Sequence, residues 1–238
     1  TIRIPWPFPF YYYGIRYFDS LSICSNGWIT PYRTTSTVYN NQPLPDPTPN
    51  NPEAMICVNW DDLYPPLGNG IWFLYDSLNH RLIIEWDSVH YYNPRDQWDK
   101  FQIIIYDTTV AGPNNYNKIL FQYKTANYFQ SSTIGIEDPT NTIGINYPAN
   151  GIISERAIRF TNIWPHVFLF DIAKNNKEKN IYPTIIASFN KLNLKDKKEK
   201  VILFANGLRV NDNKKLPKGV YFIYDKKLKK GTKIIKIR

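Results

Sequence analysis

The sequence predicts an all-β protein, and three observations carry that expectation. Short apolar or alternating runs rich in Ile, Val, Tyr, Phe and Trp recur along the 238 residues with turn residues between them. Helical periodicity is almost absent. Charge, finally, divides the chain: from Asp171 onward 19 Lys+Arg stand against 6 Asp+Glu, a net of +13, whereas Thr1 to Phe170 carries 10 against 14, a net of −4, the two making up the whole-chain +9. The expected architecture is a large antiparallel β-sandwich over 1–165, a connecting stretch at 166–180, and a second, small antiparallel β-sandwich, strongly basic, at the C-terminus over 181–238.

The elements follow in order. Ile4 to Gly14, with prolines between Trp6, Phe8 and Phe10, is locked towards extended geometry, so its aromatics either pack on the body or dock elsewhere. Strands are expected at 20–25 and 28–33, joined by Asn26-Gly27, a pair that suits the positive φ of a type I′ turn. From Tyr39 to Pro52 the prolines cannot donate a ladder of hydrogen bonds, which predicts an extended surface loop. Further strands are expected at 54–59, 70–75, 81–89, 101–107, 118–124, 133–137 and 157–161. In the run from Arg81 to Val89, period-two alternation puts Leu82, Ile84 and Trp86 on one face and Glu85 and Asp87 on the other, as in a half-buried strand. The pattern resumes at 166–171, and later strands are expected at 185–190, 200–205, 219–224 and 232–237.

Composition excludes several classes. A hydrophobic content of 43% with 16% aromatics can fill a core, so general disorder is excluded despite 18 prolines. No apolar run approaches the roughly 20 residues of a membrane helix. The start, Thr-Ile-Arg-Ile-Pro, has neither Met nor a signal-peptide pattern, as in a processed or trimmed chain. Cys24 and Cys57 each sit in an apolar run and read either as small buried hydrophobes or as one disulfide between neighbouring strands. There is no Asn-x-Ser/Thr sequon.

Two resemblances add to this. Phe8-Pro-Phe-Tyr-Tyr-Tyr-Gly14, Asp19 to Ile29 and Trp60-Asp-Asp-Leu63, followed in order by Gly70-Ile-Trp-Phe, Arg81 to Asp87, Phe101 to Tyr106, Ile119 to Tyr123 and Ile134-Gly-Ile-Glu137, resemble the extracellular nidogen-like domain over residues 4–161. That resemblance implies a non-catalytic β-structure on secreted or surface proteins. Ile181-Tyr-Pro-Thr184, Val201 to Val210, Leu216 to Ile223 and Lys233 to Arg238 are similar to the C-terminal sorting domain of the bacterial type IX secretion route. This second resemblance implies export to the outer surface of an outer-membraned bacterium; the turn Asn206-Gly207-Leu208-Arg209 departs from the family's Gly-Arg or Gly-Lys.

Enzymatic signatures are missing. With His80, His90 and His166 as the histidines, there is no His-Glu-x-x-His, Cys-x-x-Cys or Gly-x-Ser-x-Gly, so no metal, cofactor or catalytic residue is assigned. The carboxylates Glu85 and Asp87, Asp61 and Asp62, and Glu137 and Asp138 read as solvated strand faces and turn caps, ahead of calcium ligands or the facing acid pair of a glycosidase. Tyr11, Tyr12, Tyr13, Tyr91, Tyr92 and Trp98 fall in turn-like or terminal segments and are candidates for a carbohydrate-stacking platform. Lys226, Lys227, Lys229 and Lys230 form a hairpin tip without the aromatic interleaving that reads bases; no nucleic acid is expected, but an acidic partner or surface polysaccharide is. The combined expectation is a secreted, non-enzymatic, self-assembling surface subunit, with Trp6, Phe8 and Phe10 and the basic tip making contacts between copies. The alternative is a carbohydrate- or protein-binding module of a larger secreted enzyme.

Overall fold

The computed structural model describes residues 1–110 and 116–160 and, beyond them, the backbone of segments 161–164, 167–174, 183–184, 200–204, 209–210, 219–225 and 230–236. It divides into two compact units, Thr1–Ile186 and Ala187–Arg238.

The first unit opens with β1 (Ile2–Pro5), β2 (Phe10–Tyr12), β3 (Ile15–Tyr17), β4 (Ser20–Ile23), β5 (Trp28–Thr30), β6 (Ile56–Trp60) and β7 (Leu63–Tyr64). It continues through β8 (Gly70–Asp76), β9 (Arg81–Tyr91), β10 (Trp98–Tyr106), β11 (Ile119–Thr125), β12 (Thr133–Glu137), β13 (Gly144–Tyr147), β14 (Arg156–Trp164), β15 (Val167–Lys174) and β16 (Pro183–Thr184). A six-stranded sheet runs β1-β4-β5-β6-β12-β13, and an eight-stranded sheet runs β16-β15-β14-β11-β10-β9-β7, with β8 also paired to β9. All pairings are antiparallel. The expected all-β class is therefore what the chain adopts. Strand β15 adds to the larger sheet, so residues 167–174 extend the first unit instead of linking two domains, and the boundary lies at 186/187, not 165.

Alternation builds the core. In β9 the faces separate as expected, with Leu82, Ile84 and Trp86 buried and Glu85 and Asp87 half-buried on the outside. Facing side chains of the two sheets, among them Ile56, Val58, Ile134 and Ile136 from one and Ile84, Ile103, Phe121 and Ile158 from the other, form one apolar cluster. The N-terminal aromatics belong to it: Trp6, Phe8, Phe10, Tyr12 and Tyr13 are all buried, and Trp6 stacks on Phe10 at 4.4 Å between centroids. The segment with alternating prolines thus packs on its own body.

A second cluster, Cys24, Trp28, Leu44, Met55, Cys57 and Trp60, lies apart from it and is closed by the proline-rich segment. Trp28 and Trp60 both donate their indole N–H to the carbonyl of Val38, at 2.9 and 3.1 Å. The segment from Tyr39 to Pro52 carries no strand and is mostly exposed, as expected of a surface loop, but Leu44 and Asp46 within it are buried. The physical reason is that side chains elsewhere satisfy its backbone: Leu44 N–H donates to Asn146 Oδ1 at 2.8 Å and Asp46 N–H to Glu137 Oε2 at 2.7 Å. A bulge lets β6 serve both clusters. Val58 and Asn59 both donate to Gly27 O at 3.0 Å, which shifts the alternation and turns Asn59 inwards while Trp60 goes to the second cluster.

The β4–β5 turn also differs from the type I′ expectation. Gly27 N–H donates to Cys24 O at 3.3 Å, and Gly27, not Asn26, has positive φ, at 78°. This is a three-residue loop ending in a left-handed glycine.

In the second unit, the described strands are β17 (Lys200–Phe204), β18 (Arg209–Val210), β19 (Gly219–Asp225) and β20 (Lys230–Lys236), which form a four-stranded antiparallel sheet in the order β18-β17-β19-β20. The strand expected at 185–190 lies outside the described residues, as do Lys226, Lys227, Lys229 and the side chain of Lys230.

Candidate functional site

Strand β8 is paired along one edge to β9 through seven residues, from Gly70↔Asp87 to Asp76↔Arg81. No described strand pairs its other edge. Its side chains are large, apolar and uncovered: Trp72 is 62% exposed, Phe73 52%, Leu74 59% and Tyr75 41%. Register with β9 puts Trp72 and Leu74 on the outer face and Ile71, Phe73 and Tyr75 on the face that continues the core. Leu78, in the turn that follows, is 87% exposed. Soluble proteins ordinarily blunt such edges with Lys, Pro or bulges, and the stretch Gly70 to Tyr75 has none of these.

One cross-strand row leads from this edge over the outer face: Trp72, Glu85, Gln102, Gln122 and Ala157 stand directly opposite one another in turn. Trp72 is oriented by its indole N–H, which donates to Asn69 O at 3.1 Å. Gln102 Nε2 donates to Gln122 Oε1 at 2.6 Å. In the next position along β10 a bulge sets Asp87 and Ser88 against one residue, Lys100, whose ammonium reaches Glu85 at 3.2 Å and Asp87 at 2.8 Å. Lys124 pairs with Glu155 at 3.0 Å, and Arg156 Nη1 donates to the Tyr147 hydroxyl at 2.7 Å. Glu85, Lys100, Gln102, Gln122, Lys124 and Ala157 are among the residues that line a groove of about 460 Å³ over β9, β10, β11 and β14; Trp72 stands one strand beyond it. The hydrogen bond from Lys100 holds the Asp87 carboxyl below the usual range, and the same contact pushes the lysine up.

The expected stacking residues lie elsewhere. Tyr12, Tyr13 and Tyr91 are buried and offer no platform, a correction to the expectation. The Tyr12 hydroxyl donates to Glu137 O at 2.7 Å. Tyr91 receives a hydrogen bond from Asn59 Nδ2 at 3.1 Å and donates to Asp99 Oδ2 at 2.7 Å, a polar network within the core. Burial raises Asp99 to about 6. Tyr11 is half-buried, with its ring edge-on to Tyr116 at 6.2 Å, and Trp98 is half-buried on β10. Tyr92 is 50% exposed, but the Arg95 guanidinium sits over it at 5.0 Å and over Tyr64 at 4.6 Å, so that surface is occupied by a cation. Trp6, Phe8 and Phe10 are spent on the core, which corrects their assignment to contacts between copies.

The acidic pairs also separate. Asp61 accepts from Ser131 and Ser132 Oγ at 2.7 and 3.1 Å. Asp138 caps the β12–β13 turn, accepting from the N–H groups of Thr142 and Ile143 at 2.8 and 2.7 Å. Glu137, expected on a solvated face, is fully buried, and burial raises its carboxyl to about 8. Cys24 and Cys57 are both free, buried thiols, which decides against a disulfide; burial raises both. Among the described residues, no three His, Cys, Asp or Glu side chains are placed to hold a metal ion, and no helix is long and apolar enough to cross a membrane.

The family model described as NIDO related, that is, nidogen-related, matches residues 1–167. No curated protein and no solved structure matches the chain. Residues 181–238 lie beyond the family match, and nothing in these comparisons supports their likeness to a sorting domain.

Proposed function

We propose, from the premise that the chain belongs to the nidogen-related family, that it is a secreted, non-catalytic surface protein that works by contact, and that two copies join edge to edge through β8. The free edge of β8 carries this proposal: a seven-residue strand with Trp72, Phe73, Leu74 and Tyr75 exposed. Unpaired backbone N–H and C=O groups in a row are a template for strand addition, and exposed apolar side chains add burial to the hydrogen bonds. The sequence of β8 suits antiparallel pairing with itself. Centred on Phe73, Gly70 meets Asp76, Ile71 meets Tyr75 and Trp72 meets Leu74, so neither carboxylate faces its twin.

Such a two-fold contact closes after two copies. Extension into a coat or filament requires a second, heterologous contact, for which the opposite charges of residues 1–170 and 171–238, −4 and +13, are suited.

Size-exclusion chromatography with light scattering on the full chain tests the proposal. The expected result is a dimer or larger species for the wild type and a monomer for Phe73→Lys, which sets two ammonium groups against each other at the two-fold axis. A wild type that stays monomeric at high micromolar concentration would overturn it.

A further inference from the structure

Beyond edge pairing, we infer that the groove on the outer face of the eight-stranded sheet binds a neutral polysaccharide chain. Three features of the groove select that ligand. The first is shape. Its volume of about 460 Å³ falls in the range of ligand sites, roughly 300 to 1,000 Å³. It is a trough, not a hole, and the row that lines it from Glu85 to Ala157 crosses four strands, about 14 Å at ~4.8 Å per spacing. That length suits an extended chain of several sugar rings better than one small molecule. Ala157 contributes only a methyl group opposite Gln122, which leaves room on the floor beside Lys124 and Glu155.

The second feature is hydrogen-bonding capacity. The bond between Gln102 and Gln122 uses one amide N–H of Gln102 and the carbonyl oxygen of Gln122. It leaves Gln102 Oε1 as an acceptor beside the Gln122 amide as a donor, both held in place by their mutual bond. Adjacent hydroxyls of a sugar, each able to donate and accept, match this pair. Glu85, next in the row, adds a further acceptor at the groove wall.

The third feature is charge. The groove's outward lysines are engaged, Lys100 by Glu85 and Asp87 and Lys124 by Glu155, while Arg156, opposite the buried Tyr123, donates to the Tyr147 hydroxyl on the inner side of the sheet. Recognition of a phosphate or sulfate polymer relies on cations that shed mobile counterions on binding, and these lysines already have protein counter-charges. A chain that is polar but uncharged matches such a surface. One strand beyond the groove, Trp72 offers a flat, exposed and oriented indole on which a sugar ring leaving it can stack at small entropic cost.

Affinity electrophoresis of the full chain in gels containing mixed-linkage β-glucan, xylan or glucomannan, with alginate as the anionic comparison, tests this. At least one neutral polysaccharide is expected to retard the wild type. The double change Gln102→Ala with Gln122→Ala is expected to weaken that retardation at least tenfold, with its thermal melting temperature measured in parallel to show that it is folded. Phe73→Lys is expected to lose self-association yet keep its retardation, so the two proposals fail separately. Absence of retardation by all three neutral polymers would overturn the inference. So would retardation by alginate alone, or retardation by a neutral polymer that the folded double variant retains in full.

Discussion

Replacing Glu137 by Gln is expected to remove a large pH dependence from the stability of the first unit. The carboxyl is fully buried at the end of β12, with Oε2 accepting the Asp46 N–H at 2.7 Å and Oε1 the Met55 N–H at 3.4 Å. Burial, reinforced by the nearby negative charges of Asp46 and Asp138, outweighs those two bonds and raises it from 4.5 to about 8. In the unfolded chain it titrates near its ordinary value. Between about pH 4.5 and 8 the folded state therefore holds a proton that the unfolded state has released, and stability falls as pH rises through that window. At about 1.36 kcal/mol per pH unit of displacement, the full effect is about 5 kcal/mol, reached above pH 8. The Gln side chain keeps an acceptor for Asp46 and turns its amide nitrogen towards the weaker Met55 contact, so the variant folds without a titrating group there. All seven tryptophans precede residue 187, so urea unfolding followed by indole fluorescence reports on the first unit. The stability of Glu137→Gln relative to wild type is expected to rise by several kcal/mol between pH 4.5 and 8.5. Parallel stability curves, with a difference constant to within about 1 kcal/mol, would refute the assignment of Glu137 as a buried carboxyl forced to ionise in the core.

Other consequences are equally open to measurement. Gly27→Ala places a methyl group 1.8 Å from the Asn59 carbonyl oxygen and strains a φ of 78°; a loss of at least 3 kcal/mol is expected by urea titration, since backbone must move to relieve the clash. Tyr91→Phe removes the hydroxyl shared by Asn59 and Asp99 and is expected to cost about 1–3 kcal/mol, with an unchanged melting temperature contradicting the network. Cys24 and Cys57 are expected to resist a water-soluble thiol reagent in the native chain and to yield two titratable thiols in guanidinium without reductant; finding none would indicate a disulfide.

The faces of individual strands were legible in the sequence, because period-two alternation survives folding: Leu82, Ile84 and Trp86 lie inside, and Glu85 and Asp87 outside. Which strand would occupy an edge was not. Ile71 to Tyr75 is an unbroken apolar run, the pattern of a strand buried on both faces, and only the long-range order of the sheet leaves it uncovered. The same limit hid the groove. Gln102 and Gln122 each sit at outward positions of their strands, but their contact depends on the β10–β11 register. Glu137 looked solvated because its two N–H donors come from residues 91 and 82 positions away. Prolines misled in the other direction: they bar most ladder pairing, yet Trp6, Phe8 and Phe10 dock into the core and Leu44 into the second cluster without needing one.

The central claim, that the free edge of β8 meets a second copy, is tested most directly by amide hydrogen exchange read at Ile71 to Tyr75 over a range of protein concentrations. Protection of the outward-facing amides is expected to rise with concentration in the wild type and to stay low in Phe73→Lys. Exchange at these residues that is fast at every concentration and identical in the two proteins would contradict it.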